Sequence, residues 1–222
     1  MDVFKPDNRR SLMIWAFALV LTLGSAAALV RAIGAEGDPR PAGKPTLVTV
    51  KWVISGHKVR IKPDDQLVYA GIRTPYSDEP MHDEARFRNE ELVRGKELRL
   101  RFDKQTRDRK GRLLAYAFVD NTFVNETLVR EGLAYVRLTK KTLRFAEKLL
   151  AAQREAREER RGLWRHVSDD ASQRYAADPK YGTFHLPNCD VAARIKLKRR
   201  VILEGKAAAF AGGYAPCNKC RP

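Results

Sequence analysis

The fold of this chain is decided by residues 46–72, which read TLVTVKWVISGHKVRIKPDDQLVYAGI. Apolar and β-branched residues alternate with polar ones in three short runs, which are separated by a Ser-Gly turn and a Pro-Asp-Asp turn. Because successive side chains of a strand point to opposite faces, each run predicts a strand with one buried face. The predicted strands cover 46–54, 57–62 and 66–72.

Two further strands and three helices are predicted after this segment. The strands cover 97–102 and 113–119, and the helices cover 80–95, 126–131 and 141–161. Asn125 is the predicted N-cap of the second helix. The third helix has a predicted inner stripe formed by Ala146, Leu149, Leu150, Gln153 and Ala156. Five short strands with these helices favour an α+β fold built on a five-stranded OB barrel, an architecture that commonly binds oligonucleotides.

Six segments occur in a fixed order between Val48 and Trp164: VKWVISGHKVRI, LVYAGIRTPY, DEARFRNEELVRGKELRLRFDK, DRKGRLLAYAFV, VNETLVREGLAYV and GLW. Together they resemble the staphylococcal nuclease-like (thermonuclease) family. The resemblance implies the barrel of that family and a relation to metal-assisted phosphodiester hydrolysis. Such hydrolysis needs carboxylates that hold a hard cation, a carboxylate that activates water, and cations that neutralise the developing charge.

The chain departs from the family at most positions that carry this chemistry. The two aspartates of the family's Asp-Gly-Asp turn are replaced by Ser55 and His57. The strand arginine of the family falls on Val68, its metal-binding aspartate on Arg73 and its general-base glutamate on Tyr76. The last family arginine is kept as Arg112. A Ca²⁺ site is therefore not expected, since Arg73 inverts the charge at a ligand position.

Two alternatives keep an enzymatic function open. Asp78 or Glu79 could replace the missing glutamate if the loop after Tyr76 turned inward. His57 could instead act as general base beside Arg73 and Arg112, although a histidine in a turn is more often a surface residue. The candidate catalytic residues are thus Arg112, His57 and Arg73.

Excess positive charge indicates a polyanionic partner. The net charge is +16, and residues 96–112 contain eight basic and three acidic side chains. Nucleic acid or another polyanion is the predicted partner, and a merely solvated basic face is the alternative. The predicted contact residues in the barrel are Arg73, Arg99, Arg101, Arg109, Lys110 and Arg112, and those near the C-terminus are Lys198, Arg199 and Arg200.

The last 42 residues carry one histidine and all three cysteines of the chain, in the pairs His185-x3-Cys189 and Cys217-x2-Cys220. Four such ligands suit a structural, tetrahedral Zn²⁺ site, and a Cys217–Cys220 disulfide is the alternative. The segment resembles the N-terminal zinc domain of the Ada methyl-repair protein. That domain has a methyl-accepting cysteine where this chain has His185, so methyl transfer is not expected here.

The N-terminal part predicts a membrane anchor. Residues 11–30 form a run of 20 uncharged residues, which as a helix would span the hydrocarbon core of a bilayer. A cleaved signal peptide followed by secretion is the alternative, since small residues at 24–26 offer a processing site. The body is expected to lie outside the cytoplasm, as a single-pass membrane protein.

The resulting organisation has five parts. Residues 1–31 form a cytoplasmic tip and anchor, 32–45 a linker, 46–165 the nuclease-like barrel, 166–180 a second linker, and 181–222 the zinc-binding unit. The leading hypothesis is a membrane-anchored protein that binds nucleic acid or another polyanion without metal-dependent cleavage. The alternatives are an active phosphodiesterase with unconventional residues, and a membrane-surface scaffold that binds anionic lipid or a partner protein.

Overall fold

A computed structural model describes residues 46–168 and 171–222. The first part contains strands β1 (Thr46–Ser55), β2 (Lys58–Ile61), β3 (Asp65–Tyr69), β4 (Ile72–Arg73), β5 (Glu97–Arg101), β6 (Leu113–Val119), β7 (Thr122–Phe123) and β8 (Tyr135–Val136), and helices α1 (His82–Val93), α2 (Val124–Arg130) and α3 (Ala146–Glu158). The second part contains β9 (Arg174–Asp178), β10 (Thr183–His185), β11 (Val201–Glu204) and β12 (Ala215–Pro216), with the short helices α4 (Asp190–Ala193) and α5 (Gly205–Ala211).

The first sheet closes on itself. Its strands lie in the order β3-β2-β1-β5-β6, and β3 also pairs in parallel with β6, where Leu67 lies opposite Leu113. The other pairings in this ring are antiparallel. The predicted five-stranded barrel with helices is therefore confirmed.

Alternating side chains fill the barrel. In β5 the side chains of Leu98 and Leu100 are buried, whereas Arg99 and Arg101 remain partly exposed on the outer face. Tyr69 and Tyr116 are among the largest fully buried side chains of this core. The period of two that predicted the strands also determines which residues form the core.

Asn125 has a different role from the predicted N-cap. It lies inside α2, which begins one residue earlier, and it is fully buried. Its Oδ1 accepts a hydrogen bond from Ala117 N at 3.0 Å, and its Nδ2 donates to Ala70 O at 2.8 Å. The N-cap prediction was wrong because the side chain satisfies backbone groups of two barrel segments instead of the helix end.

Helix α3 is shorter than predicted, since it begins at Ala146 instead of residue 141. Leu149, Gln153 and Ala156 of the predicted stripe are buried, whereas Leu150 is only partly buried. The residues just before the helix form turns that are held by hydrogen bonds between Thr139 and Thr142. Side-chain hydrogen bonds of this kind compete with helix formation.

The C-terminal part is a four-stranded sheet in the order β11-β9-β10-β12. Strand β9 lies within 166–180, which was predicted to be a linker. Tyr175, Ala176 and Ala177 are buried in succession, so this strand lacks the polar-apolar alternation that would have revealed it. The linker prediction was wrong for that segment.

The C-terminal sheet shares a core with α3 and the end of the barrel part. Phe210 stacks on Tyr135 and meets the ring of Trp164 edge-on, at centroid distances of 5.9 and 4.8 Å. A Cβ atom at Gly182, whose φ is +62°, would lie 2.2 Å from the carbonyl oxygen of Leu138. This close approach requires glycine, both for its backbone conformation and for space. The two parts therefore pack tightly together.

Within residues 46–168 and 171–222, no helix is long and apolar enough to cross a membrane. The predicted anchor at 11–30 and the predicted linker at 32–45 lie outside the described residues.

Candidate nucleic-acid interface and metal centre

His57 stands at the turn between β1 and β2, where the resemblance placed a family carboxylate. It is buried, with 8% of its surface exposed, so the alternative of a simple surface histidine is wrong. Its Nδ1 accepts hydrogen bonds from the Thr74 amide at 3.3 Å and from Thr74 Oγ1 at 2.7 Å. Because a backbone N–H can only donate, Nδ1 is the unprotonated nitrogen and Nε2 carries the proton.

His57 is uncharged in the folded protein. Burial lowers its pKa well below the usual value, and the nearby charges of Lys58, Arg73, Arg137 and Arg112 lower it further. The basic nitrogen is already occupied by Thr74, so this geometry offers no free acceptor for a proton of water. The arrangement suits a structural histidine better than a general base.

Arg73 is buried between two aromatic rings. Only 2% of its surface is exposed, and its guanidinium carbon lies 4.8 Å from the ring centroid of Tyr76 and 5.1 Å from that of Tyr135. Nη1 donates to Glu79 Oε2 at 3.3 Å, whereas Nε and Nη2 have no hydrogen-bond partner among the described residues. Arg73 therefore lies inside the protein, with Glu79 and the two tyrosine rings as its neighbours.

The loop after Tyr76 sends its two carboxylates in different directions. Glu79 turns inward, where it accepts from the Tyr76 amide at 2.9 Å as well as from Arg73. Asp78 is exposed and pairs with Arg221, near the end of the chain. Glu79 thus belongs to the site. The sequence indicated this only as the possibility that the loop after Tyr76 turns inward.

Arg112 lies in the turn formed by residues 108–112, hereafter the basic turn. Its Nε and Nη2 both donate to Asp108 Oδ2, at 2.7 and 2.5 Å. Burial lowers the pKa of the adjacent Lys58, and the charges of Arg112 and Lys110 lower it further. Lys110 and Arg112 also line one groove together with Arg60, so several cations share this face of the barrel.

We call His57, Lys58, Arg73, Arg112 and Arg137 the basic cleft. Burial also lowers the pKa of Arg137, whose Nε donates to the carbonyl oxygen of Tyr181 at 2.9 Å. This hydrogen bond links the cleft to the C-terminal part, as does Arg109, which stands 5.4 Å from the centre of the Tyr181 ring. The structure thus brings together three of the predicted residues, Arg73, Arg112 and His57, and adds Arg137.

The residues of the basic cleft do not suit Ca²⁺. A calcium site needs several oxygen ligands, mostly carboxylates. Here the positions named by the resemblance hold Ser55, His57, Val68, Arg73 and Tyr76, and the nearest inward carboxylate, Glu79, is paired with Arg73.

The other predicted contact residues differ in whether their side chains are exposed to solvent or engaged in internal hydrogen bonds. Arg109 and Lys110 are exposed in the basic turn, and Lys198 is exposed in the C-terminal part. Arg199 binds both carboxylate oxygens of Asp178, at 2.7 and 3.0 Å. Arg200 donates to the carbonyl oxygen of Ala192 in α4 and to that of Ile195 just after it. These last two arginines therefore stabilise the fold of the C-terminal part.

The four predicted metal ligands do converge. The ligand atoms of His185, Cys189, Cys217 and Cys220 all lie within 4.8 Å of one another, and three of the residues are buried. His185 Nδ1 faces Cys189 Sγ at 3.7 Å, while Thr183 Oγ1 holds the other ring nitrogen at 3.1 Å. A metal-binding histidine commonly has its second nitrogen fixed in this way. The cluster can hold a metal ion.

Backbone amides also point at the sulfur atoms. Leu186 N lies 3.4 Å from Cys220 Sγ, and Lys219 N lies 3.3 Å from Cys217 Sγ. Such donors favour thiolates, which are the form of cysteine that binds a metal. No disulfide joins the cysteines, because all three are free thiols.

The barrel resembles a known protein family. Residues 66–166 match the family model described as staphylococcal nuclease homologue. The thermonuclease-like domain predicted from the sequence is confirmed by this match. It covers β3 to the turn after α3, and so includes the loop of Arg73 and the basic turn.

Three curated relatives are nucleases by name. The chain is 34% identical over 128 residues to the SPbeta prophage-derived endonuclease YokF of Bacillus subtilis (strain 168), covering 53% of this chain and 43% of the relative. It is 34% identical over 124 residues to Endonuclease YncB of the same organism, covering 52% and 56%. It is 29% identical over 121 residues to Thermonuclease of Staphylococcus hyicus, covering 50% and 72%. The chain thus spans about half the length of the first two relatives.

Proposed function

We propose that the barrel binds nucleic acid through the basic turn and the basic cleft, without the calcium-dependent cleavage of its family. The observation that carries the proposal is the groove on the barrel surface that Arg60, Lys110 and Arg112 line together. Lys58 and His57 lie close enough to Arg112 for its charge to lower the pKa of both. Cations held this close repel one another, and a phosphodiester backbone offers the negative charge that relieves the repulsion. The nuclease relatives support nucleic acid as the polyanion.

The direct contacts belong to exposed side chains. Arg109 and Lys110 project from the basic turn, and Arg112 remains partly exposed beside Asp108. Arg73 is buried, with 2% of its surface exposed, so it acts by holding Glu79 in position. Removing Arg73 should therefore disturb the loop of Glu79 more than it removes a phosphate contact.

Binding is tested with the full chain by fluorescence anisotropy on labelled DNA and RNA across a series of salt concentrations. The double variant Arg109→Ala/Lys110→Ala should lower affinity and flatten the plot of log affinity against log salt by about 1.4–1.8, because each lost phosphate contact removes roughly 0.7–0.9. The matched control is Arg94→Ala/Lys96→Ala, which removes equally exposed cations that contact no residue of the cleft. An equal effect of both double variants would show that only net charge matters.

Cleavage is tested separately. We expect no increase in strand cleavage when Ca²⁺ replaces a chelator, because the carboxylates that would hold the ion are missing. An active phosphodiesterase with unconventional residues is the second candidate, and the inward Glu79 beside Arg73 favours it. Cleavage that is lost in Glu79→Gln, with binding retained, would replace the first proposal by the second.

We also propose that the ion at the cysteine cluster is Zn²⁺ and that it is structural. One histidine and three cysteines form a soft, tetrahedral ligand set that suits zinc, and burial leaves no open position for substrate. Elemental analysis of anaerobically purified protein should find one zinc per chain. Its loss in Cys217→Ser would be expected, and a different metal in the wild type would contradict the assignment.

Membrane anchoring through residues 11–30 is proposed from the length of the uncharged run alone. The full chain should then stay in the membrane pellet after high-salt and carbonate washes. A shorter soluble species would instead indicate a cleaved signal. If the full chain binds anionic vesicles but no nucleic acid, the scaffold alternative replaces the nucleic-acid proposal.

A further inference from the structure

A tryptophan lies exposed on the outer face of the barrel. Trp52 in β1 has 53% of its surface exposed and pairs across the strands with Arg60 in β2. The guanidinium carbon of Arg60 lies 5.6 Å from the ring centroid, and Lys51 Nζ lies 6.0 Å from it. A single exposed apolar side chain is ordinary on a protein surface. A large aromatic face beside two cations has the composition of a base-stacking platform.

A groove leads from this platform to the basic turn. It has a volume of about 420 Å³ and is lined by Arg60, Asp65, Gln66, Lys110, Gly111 and Arg112. Arg60 therefore belongs both to the surroundings of Trp52 and to the groove. Arg112 in turn belongs both to the groove and to the basic cleft. Through these shared residues the platform, the groove and the basic cleft adjoin one another, and together we call them the path.

Acidic groups along the path are neutralised by neighbours. Asp64 lies 3.2 Å from Lys51 Nζ, and Asp65 lies 3.0 Å from Arg107 Nη2. Asp108 is paired with Arg112. With Arg60 and Lys110 added, five cations face three carboxylates, so the path keeps a positive balance that suits phosphates.

We propose that this path binds single-stranded nucleic acid, with an unpaired base stacked on Trp52 and the adjoining phosphates running through the groove toward Lys110 and Arg112. The inference rests on the proposed function and names its substrate class. In a duplex the bases are already stacked on one another, so their faces are not available to an indole ring. Phosphate attraction alone would not distinguish single strands from duplexes in this way.

Stacking is tested in the full chain with Trp52→Ala and Trp52→Phe. Affinity for a single-stranded oligonucleotide should fall about 5- to 150-fold in Trp52→Ala, which corresponds to the loss of one base–aromatic stack. Trp52→Phe should retain much of the affinity. Duplex affinity and the salt dependence should not change, because a neutral side chain releases no counterions.

Two controls separate stacking from other effects. Phe87→Ala removes another exposed aromatic ring, which has 52% of its surface exposed and a neighbouring cation, Arg86, at 4.4 Å. It should not change affinity. A strand made of abasic nucleotides should bind the wild type and Trp52→Ala equally, because it carries phosphates without bases. Equal melting temperatures would show that the variants fold alike.

The outcomes distinguish the two proposals. If Trp52→Ala binds single strands as well as the wild type does, or loses duplex and single-strand affinity equally, the stacking inference is overturned. The proposed function then still stands wherever Arg109→Ala/Lys110→Ala weakens binding. If the wild type binds neither form of nucleic acid, both proposals fail together.

Discussion

Truncating Phe210 should destabilise the barrel as well as the C-terminal part. Its side chain is 1% exposed and packs against the rings of Tyr135, Trp164 and Phe184. Replacing a buried phenylalanine by alanine costs about 3–5 kcal/mol. For a protein of this size each kcal/mol shifts the melting temperature by roughly 2–4 °C, so Phe210→Ala should lower it by about 6–20 °C.

The linker predicted at 166–180 would imply a different outcome, in which damage to the C-terminal unit leaves the barrel folded. The shared core contradicts that expectation, because Gln153 in α3 also donates to the carbonyl oxygen of Phe210 at 2.8 Å. Hydrogen exchange measured by mass spectrometry should show faster exchange in β3 and in β9 alike. The control is Leu197→Ala, at a residue 81% exposed in the same part, which should change stability by less than about 0.5 kcal/mol. Unchanged exchange in the barrel strands of Phe210→Ala would refute the coupling.

Three further outcomes are expected. Burial lowers the pKa of His57, so below about pH 6.5 the unfolded chain gains a proton that the folded chain lacks, and stability falls by up to about 1.4 kcal/mol per pH unit. Urea unfolding at pH 7 and pH 5 should show a shallower fall in His57→Asn, and identical slopes would contradict a buried neutral histidine. Asn125→Ala leaves two buried backbone groups unpaired, so it should lower the free energy of unfolding by about 2–5 kcal/mol in the same assay. A loss below about 1 kcal/mol would show that water replaces the amide. Once elemental analysis has found the proposed zinc, its removal with a chelator should lower the melting temperature of the barrel too, and a barrel transition that does not move would contradict the shared core.

Part of the barrel could be predicted from its sequence because β2 and β5 each have one buried and one partly exposed face. The alternation in Lys58–Ile61 and in Glu97–Arg101 reports that geometry directly. Strand β3 has three buried residues in succession, and the turn that precedes it helped to predict it. Strand β9 has no such alternation, since Tyr175 and the two alanines after it are all buried. It was missed because burial on both faces removes the period on which the prediction depends.

The two candidate sites differ in how far the sequence predicts them, for a similar reason. The candidate metal ligands form two pairs that are close in sequence, so His185 and the three cysteines could be predicted from local sequence. The basic cleft depends on which way a loop turns. Nothing in the order of residues 76–79 specifies that Glu79 points inward while Asp78 pairs with Arg221, because both choices follow from tertiary contacts.

The Arg73–Glu79 pair resists the exchange of its arginine for a carboxylate by a single substitution. Arg73→Asp would place a second carboxylate beside Glu79 and would remove the charge that two tyrosine rings flank. Removing one partner of a buried ion pair is costly, because the other charge is left without its counterion. A cation site at this loop would therefore require changes at several positions together, so the pair acts as a mutational constraint on the chain.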